Sequence, residues 1–273
     1  MSEGSRVMID PFSLCAVPIT ICFDDFILGQ ATGFFYEEGG HVFLVSNWHV
    51  FSGRDPSNGQ PKDQSGFRIP NNLKFLYHPA NNLGTVVQMT KPLTSREGAS
   101  TWIQHKSHGQ RIDVAATELI DFEALEKERK TEVKPLTING APQVNDMQIA
   151  IGSDIFVLGF PLGIMKTGVL PVWKRGSVAT EIQIDVNDLP SFIIDTATRE
   201  GMSGSPVIAR ATGGYARAGG GGVLSGGTFS QFLGVYSGRY VGKIDEAHLG
   251  IVWKAVVIEQ IIDDPAPGDF ETR

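Results

Sequence analysis

The chain has 273 residues, 41% of them hydrophobic and 19% charged, a composition of globular proteins and not of disordered or collagenous chains. A formal net charge of −7, with no run of Lys and Arg, argues against the clustered basic surface that binds nucleic acid. No stretch reaches the roughly 18 consecutive apolar residues that a spanning helix needs, so no membrane partner is expected.

The opening "MSEGSRVMIDPFSLCAVPITICF" lacks the basic flank and small-residue cleavage site of a secretory signal, which predicts a cytoplasmic protein. Its apolar part reads as a first strand carrying both cysteines, Cys15 and Cys22. Extended chain rises about 3.3 Å per residue, which separates the two beyond disulfide reach and predicts free, half-buried thiols in a reducing compartment. "ILGQATGFFYEE" and "HVFLVSNWHV" follow as strands, the second running to His49 near its end. After the turn-rich segment 52–72 come "NLKFLYHP", "TVVQMT", "TWIQH" and "RIDVAATEL", the last opening on Asp113.

"IDFEALEKERK", around 120–130, has acids early and bases late, as a helix dipole prefers. The charged, proline-containing stretch that follows reads as a link between two units, 12–132 and 133–264. The second half offers the strands "DIFVLGF", "VWKRGSVATEI", "SFIIDTAT", "SPVIARA", "QFLGVYSGRY" and "HLGIVWKAVV", then a terminal helix in "VVIEQIIDD". Between two of these strands, segment 211–228 is so rich in glycine that it reads as a mobile loop. Many short strands separated by turn residues predict an all-β antiparallel sandwich or barrel.

Ser203 stands out in "REGMSGSPVI". A serine hydroxyl attacks poorly at neutral pH unless a base takes its proton and a third group orients that base. His49 and Asp113 are candidates for those parts; each alone is weak evidence, since a histidine or aspartate beside a strand is commonly structural. In the order His, Asp, Ser, with the serine inside G-x-S-G-x-P, they are far more specific.

The motifs "SNWHVF", "RIDVAA" and "DTATREGMSGSPVI", with "IGSDIFVLGFPLG" before the last, resemble those of the chymotrypsin-fold serine peptidases, in particular the bacterial high-temperature-requirement proteases and glutamyl endopeptidases. The resemblance spans about residues 15 to 262. It implies two six-stranded antiparallel β-barrels with a short C-terminal helix, His49 and Asp113 on the first barrel and Ser203 on the second. It also implies a serine endopeptidase working through an acyl-enzyme, with His49 as base, Asp113 as its orienter and Ser203 as nucleophile. The backbone N–H groups of Gly201 and Ser203 match the family's oxyanion hole. Ser205 reads as a small residue tucked beside the turn.

The same matching points to Ala197, Thr198, Tyr236, Ser237, Gly238 and Gly250 as lining the pocket for the residue before the scissile bond, with Ser237 also beneath the catalytic pair. None is an acid, so trypsin-type preference for Lys or Arg is disfavoured. Tyr236 replaces the pocket histidine of glutamyl endopeptidases, and a small or medium uncharged residue is expected instead, with Arg239 or Thr198 as partial compensation for glutamate. Met202 stands where animal digestive relatives have an aspartate that pairs with a processed N-terminus, so that activation route is not expected, nor is a PDZ-type domain after residue 262.

The remaining histidines form no HExxH or Cys/His ligand set, and the glycine-rich segment is not a phosphate loop. No metal or cofactor is therefore expected. The expected partner is a protein or peptide substrate, with an activating or regulatory protein left open. The competing reading is a peptidase-fold binding module, or a partner-gated protease with little activity alone.

Overall fold

The computed structural model describes residues 8–63, 65–66, 68–129, 131–163, 168–239 and 248–269. The sequence folds as antiparallel strands in two layers of hydrogen bonding, the double-barrel architecture of the chymotrypsin type. Helix α1 (Phe12–Cys15) leads into β1 (Ala16–Phe23), β2 (Phe26–Glu38) and β3 (His41–Ser46); then come α2 (Trp48–Ser52), β4 (Asn72–Tyr77), β5 (Val87–Pro92), β6 (Ile103–His105), β7 (Ala115–Glu118) and α3 (Phe122–Arg129). The second half holds β8 (Asp154–Gly159), β9 (Val172–Val178), β10 (Ser191–Asp195), β11 (Pro206–Ala216), β12 (Gly222–Arg239), β13 (Leu249–Lys254), α4 (Val256–Asp263) and β14 (Pro265–Pro267).

The first sheet runs in the order β14-β6-β7-β3-β2-β1-β4-β5, so the last strand of the chain returns to extend it beside β6. The second is a closed barrel, β10-β13-β12-β11-β8-β9. Local chemistry sets the hairpins. Asp24 takes a left-handed φ of 52° in the two-residue connection of β1 to β2, and Gly39 and Gly40 both have positive φ between β2 and β3, as twist-matched tight turns require. In β4, Leu73, Phe75 and Tyr77 point inward with period two.

Each half has its own core, and a third cluster joins them. Phe34 and Val45 from the first half pack in one group with Leu158, Phe160, Ile208 and Trp253 from the second, sealed by Val257, Ile258 and Ile261 of α4. The terminal helix thus buries one apolar stripe over the seam.

Four local expectations change. His49 lies on no strand: β3 stops at Ser46, the last residue paired with β7, and Asn47 then starts the one-turn helix α2, which Gly53 closes at a left-handed φ of 67°. Cys15 ends α1 instead of lying on β1, because Pro11 and the Asp10 carboxylate, which accepts the Phe12 N–H at 3.0 Å, start a helical turn. Both cysteines are free and fully buried rather than half-buried. Segment 211–228 folds as the paired outer reaches of β11 and β12, with Thr212 opposite Thr228 and Tyr215 opposite Val223. Tyr215 packs on Phe229 at 4.9 Å between centroids and donates its hydroxyl to Asp146, contacts that the glycine count concealed. Gln64, Phe67, Lys130 and Tyr240, which belonged to predicted elements, lie outside the described residues.

Candidate active site

The site begins at the buried end of β3. Trp48 anchors α2 by donating Nε1–H to Gln104 at 2.6 Å and packing edge-on to Trp102, which stacks on Phe51. This fixes His49, the next residue. Its Nδ1 faces the Asp113 carboxylate at 2.8 Å from Oδ2 and 3.1 Å from Oδ1, and its backbone N–H donates to Oδ1 at 2.9 Å. Asp113, just before β7, is only 3% exposed, and the buried Asn47 donates Nδ2–H to its carbonyl at 2.7 Å. With Nδ1–H held on the carboxylate, the ring's Nε2 is left as the acceptor.

Ser203 comes from the second half, in the turn between β10 and β11. Met202 N–H bonds back to Arg199 O at 3.2 Å, closing a four-residue turn whose third residue, Gly201, has a φ of 90°. A type II turn needs this left-handed position, and a Cβ there would run into the Phe160 carbonyl oxygen, so only glycine fits. Among the described residues, neither the Gly201 N–H nor the Ser203 N–H has an acceptor. His49, Gly201 and Ser203 line one cleft of about 480 Å³, with no hydrogen bond between Ser203 and His49. A base, its buried orienting acid, a hydroxyl and two uncommitted backbone donors therefore share one site, the parts that acyl transfer needs.

The pattern of the trypsin-like peptidase domain matches residues 31–214. The chain belongs to the trypsin-like peptidase family. It is accordingly an enzyme of the serine peptidase class. No curated protein matches it in sequence. Among solved structures, the peptidase is similar to the active form of the Rv3671c protease from M. tuberculosis, at 19% identity over 92% of this chain and 81% of that one, with a TM-score of 0.45. It is similar also to the serine endoprotease from Yersinia pestis, at 11% identity over 92% of this chain and 62% of that one, with a TM-score of 0.46. An HtrA-type protease with a tripeptide gives 11% identity, 92% and 60% coverage and a TM-score of 0.48.

The other residues singled out in the peptidase's sequence are spread over five places. Ser237 donates its hydroxyl to Asp113 Oδ2 at 2.5 Å, joining β12 to the acid across the seam. Thr198 and Tyr236, both buried, share a short hydrogen bond between their hydroxyls, and the Tyr236 ring lies against Gly250, where a Cβ would stand 2.5 Å from its Cε2. Ala197 and Thr198 line a separate hollow of about 240 Å³ with Val172, Lys174 and Met202, apart from the cleft that holds Ser203. Gly238, at the bulge of β12, has open space around it. Ser205 is fully buried beside the turn.

Sequence reasoning missed Thr32, Asn47 and Phe160, which brace the site through backbone and buried polar contacts. Thr32 had one signal: a polar side chain between Ala31 and Gly33, in a run that the fold buries completely from Ala31 to Tyr36.

Proposed function

We propose that the peptidase hydrolyses peptide bonds with Ser203 as nucleophile, His49 as general base and Asp113 as the group that orients and balances the imidazole. As Ser203 Oγ bonds to the substrate carbonyl carbon, its proton passes to His49 Nε2, and negative charge collects on the carbonyl oxygen. The N–H groups of Gly201 and Ser203 are the donors for that charge. His49 then gives the proton to the leaving amine, and water, activated by the same imidazole, hydrolyses the acyl-enzyme. The observation that carries this reading is the buried Asp113 carboxylate held on His49 Nδ1 at 2.8 Å, in a cleft shared with Ser203.

A small or medium uncharged residue before the scissile bond fits best. Tyr236 occupies space beside Gly250 and spends its hydroxyl on Thr198, and neither these residues nor the hollow lined by Ala197 and Thr198 offers a carboxylate to match a Lys or Arg side chain. Free, buried Cys15 and Cys22 suit a reducing compartment such as the cytoplasm. The gated reading draws on one observation, the absence of a Ser203–His49 hydrogen bond; such bonds commonly tighten only with substrate.

Labelling with a fluorophosphonate tests the assignment, since Ser203 Oγ would bond to phosphorus, expel fluoride and pass its proton to His49. An adduct mapped to Ser203 and abolished by Ser203→Ala and His49→Ala is expected. No adduct on Ser203 would favour the gated or binding-module reading.

A further inference from the structure

Thr32 of β2 is fully buried, and all its polar groups are engaged across the seam between the halves. Its N–H donates to Ser203 O at 2.9 Å, its hydroxyl donates to Gly201 O at 2.7 Å, the Phe160 N–H donates to that hydroxyl at 3.0 Å, and its carbonyl accepts from Ser46 Oγ at 2.7 Å. Because the Phe160 N–H occupies the acceptor side of the Thr32 oxygen, the hydroxyl hydrogen is directed at Gly201.

Peptide planarity gives this bond a particular meaning. The Gly201 N–H shares a plane with Glu200 O, which the Leu162 N–H holds at 2.9 Å, and the Ser203 N–H shares one with Met202 O, which the Ser205 N–H holds at 3.1 Å. Between these two planes lies the Gly201–Met202 peptide, whose N–H closes the turn on Arg199 O at 3.2 Å and whose carbonyl, beside a glycine of φ 90°, is the side left for a partner outside the turn. Buried Met202 brings no charge to hold the turn. The Thr32 hydroxyl clamps that middle peptide from the other half of the molecule.

We propose that Thr32 is a positioning residue for catalysis, its hydroxyl fixing the Gly201–Met202 peptide so that the N–H groups of Gly201 and Ser203 converge on one oxyanion. The inference rests on the Ser203 nucleophile reading. Saturation kinetics of fluorophosphonate labelling test it, because the first-order inactivation constant depends on stabilising charge on the phosphoryl oxygen, whereas the half-saturating concentration reports binding.

Thr32→Val keeps the shape and removes the hydroxyl. It should lower the inactivation constant about 10- to 100-fold, less than or comparable to loss of a direct oxyanion donor, and leave the half-saturating concentration nearly unchanged. Thr32→Ser, which restores the hydroxyl, should recover most of the rate. If Thr32→Val does not fold, as judged by circular dichroism, Thr32→Ala carries the same prediction without the misplaced methyl group. Wild-type labelling with an unchanged constant in the hydroxyl-free variant, or Thr32→Ser as slow as that variant, would overturn the role of Thr32 and leave the nucleophile assignment standing. An unlabelled wild type would overturn both.

Discussion

Ser237 on β12 donates its hydroxyl to the same Asp113 oxygen, Oδ2, that faces His49 Nδ1, so one buried carboxylate oxygen ties the two halves of the peptidase together at the cleft. The other oxygen takes the His49 backbone N–H. Asp113→Asn would keep the shape but present an amide donor to Nδ1 and favour the wrong tautomer. Turnover should fall by about 10⁴-fold, the scale seen when a triad acid is changed this way. Ser237→Ala removes one hydrogen bond to a charged group and should cost about tenfold. Steady-state rates on a peptide library pool would compare the two, and equal losses would contradict the graded roles.

Tyr236 makes the pocket wall testable on its own. Its ring lies on Gly250 and its hydroxyl on Thr198. Tyr236→Ala should therefore open room for a larger residue before the scissile bond, raising kcat/KM for Leu or Phe relative to Ala at that position by about tenfold or more, since each methylene in a pocket is worth about 1–3 kcal/mol. The same change should lower stability by about 3–5 kcal/mol, because the ring belongs to the core of the second barrel. An unaltered preference profile would mean that Tyr236 does not wall the substrate pocket.

The legible parts of this molecule were those written in local patterns. Short apolar runs bounded by turn residues marked strands such as "NLKFLYHP", now β4, and "VVIEQIIDD" marked the terminal helix, while the Gly39–Gly40 and Asp24 turns follow from backbone sterics. Motif order singled out His49, Asp113 and Ser203 as candidates; the cleft that His49 and Ser203 line, with Asp113 buried behind His49, depends on strands brought together from distant parts of the chain. Segment 211–228 was misread because glycine content reports backbone freedom, while the pairing of Tyr215 with Val223 and its packing on Phe229 are tertiary. The role of Thr32 was hidden for the same reason: a lone polar side chain in "QATGFF" does not name its partners Gly201 and Phe160, which lie far along the sequence.

Alkaline pH should destabilise the fold through groups kept protonated by burial. Burial, with Asp10 adding to it, pushes the Cys15 thiol well up; burial and Glu259 do the same to the Tyr36 hydroxyl, and burial raises Cys22, with Lys74 opposing. In the unfolded chain thiols ionise near pH ~8.5 and phenols near ~10. Above about pH 8.5 the unfolded state thus binds fewer protons than the folded one, and stability falls with rising pH by about 1.4 kcal/mol per unit for each fully shifted group. Urea midpoints should be level from neutral pH to about 8.5 and decline beyond it. Cys15→Ala should flatten that decline more than Cys22→Ala; a decline untouched in both variants would assign it elsewhere.

Gly201 is where backbone strain and chemistry meet. Any L-residue there would have to hold a φ of 90°, and its Cβ would run into the Phe160 carbonyl oxygen. Gly201→Ala is therefore expected to swing the turn, moving the Gly201 N–H away from the oxyanion position. Loss of one such donor costs about 100- to 1000-fold in turnover. Because the turn sits at the seam and not within either barrel's strands, the thermal midpoint should change by only a few degrees, in line with strain of about 1–3 kcal/mol at one residue. Calorimetry on Gly201→Ala beside its labelling rate separates the effects. A folded variant that labels at the wild-type rate would show that the Gly201 N–H is not an oxyanion donor.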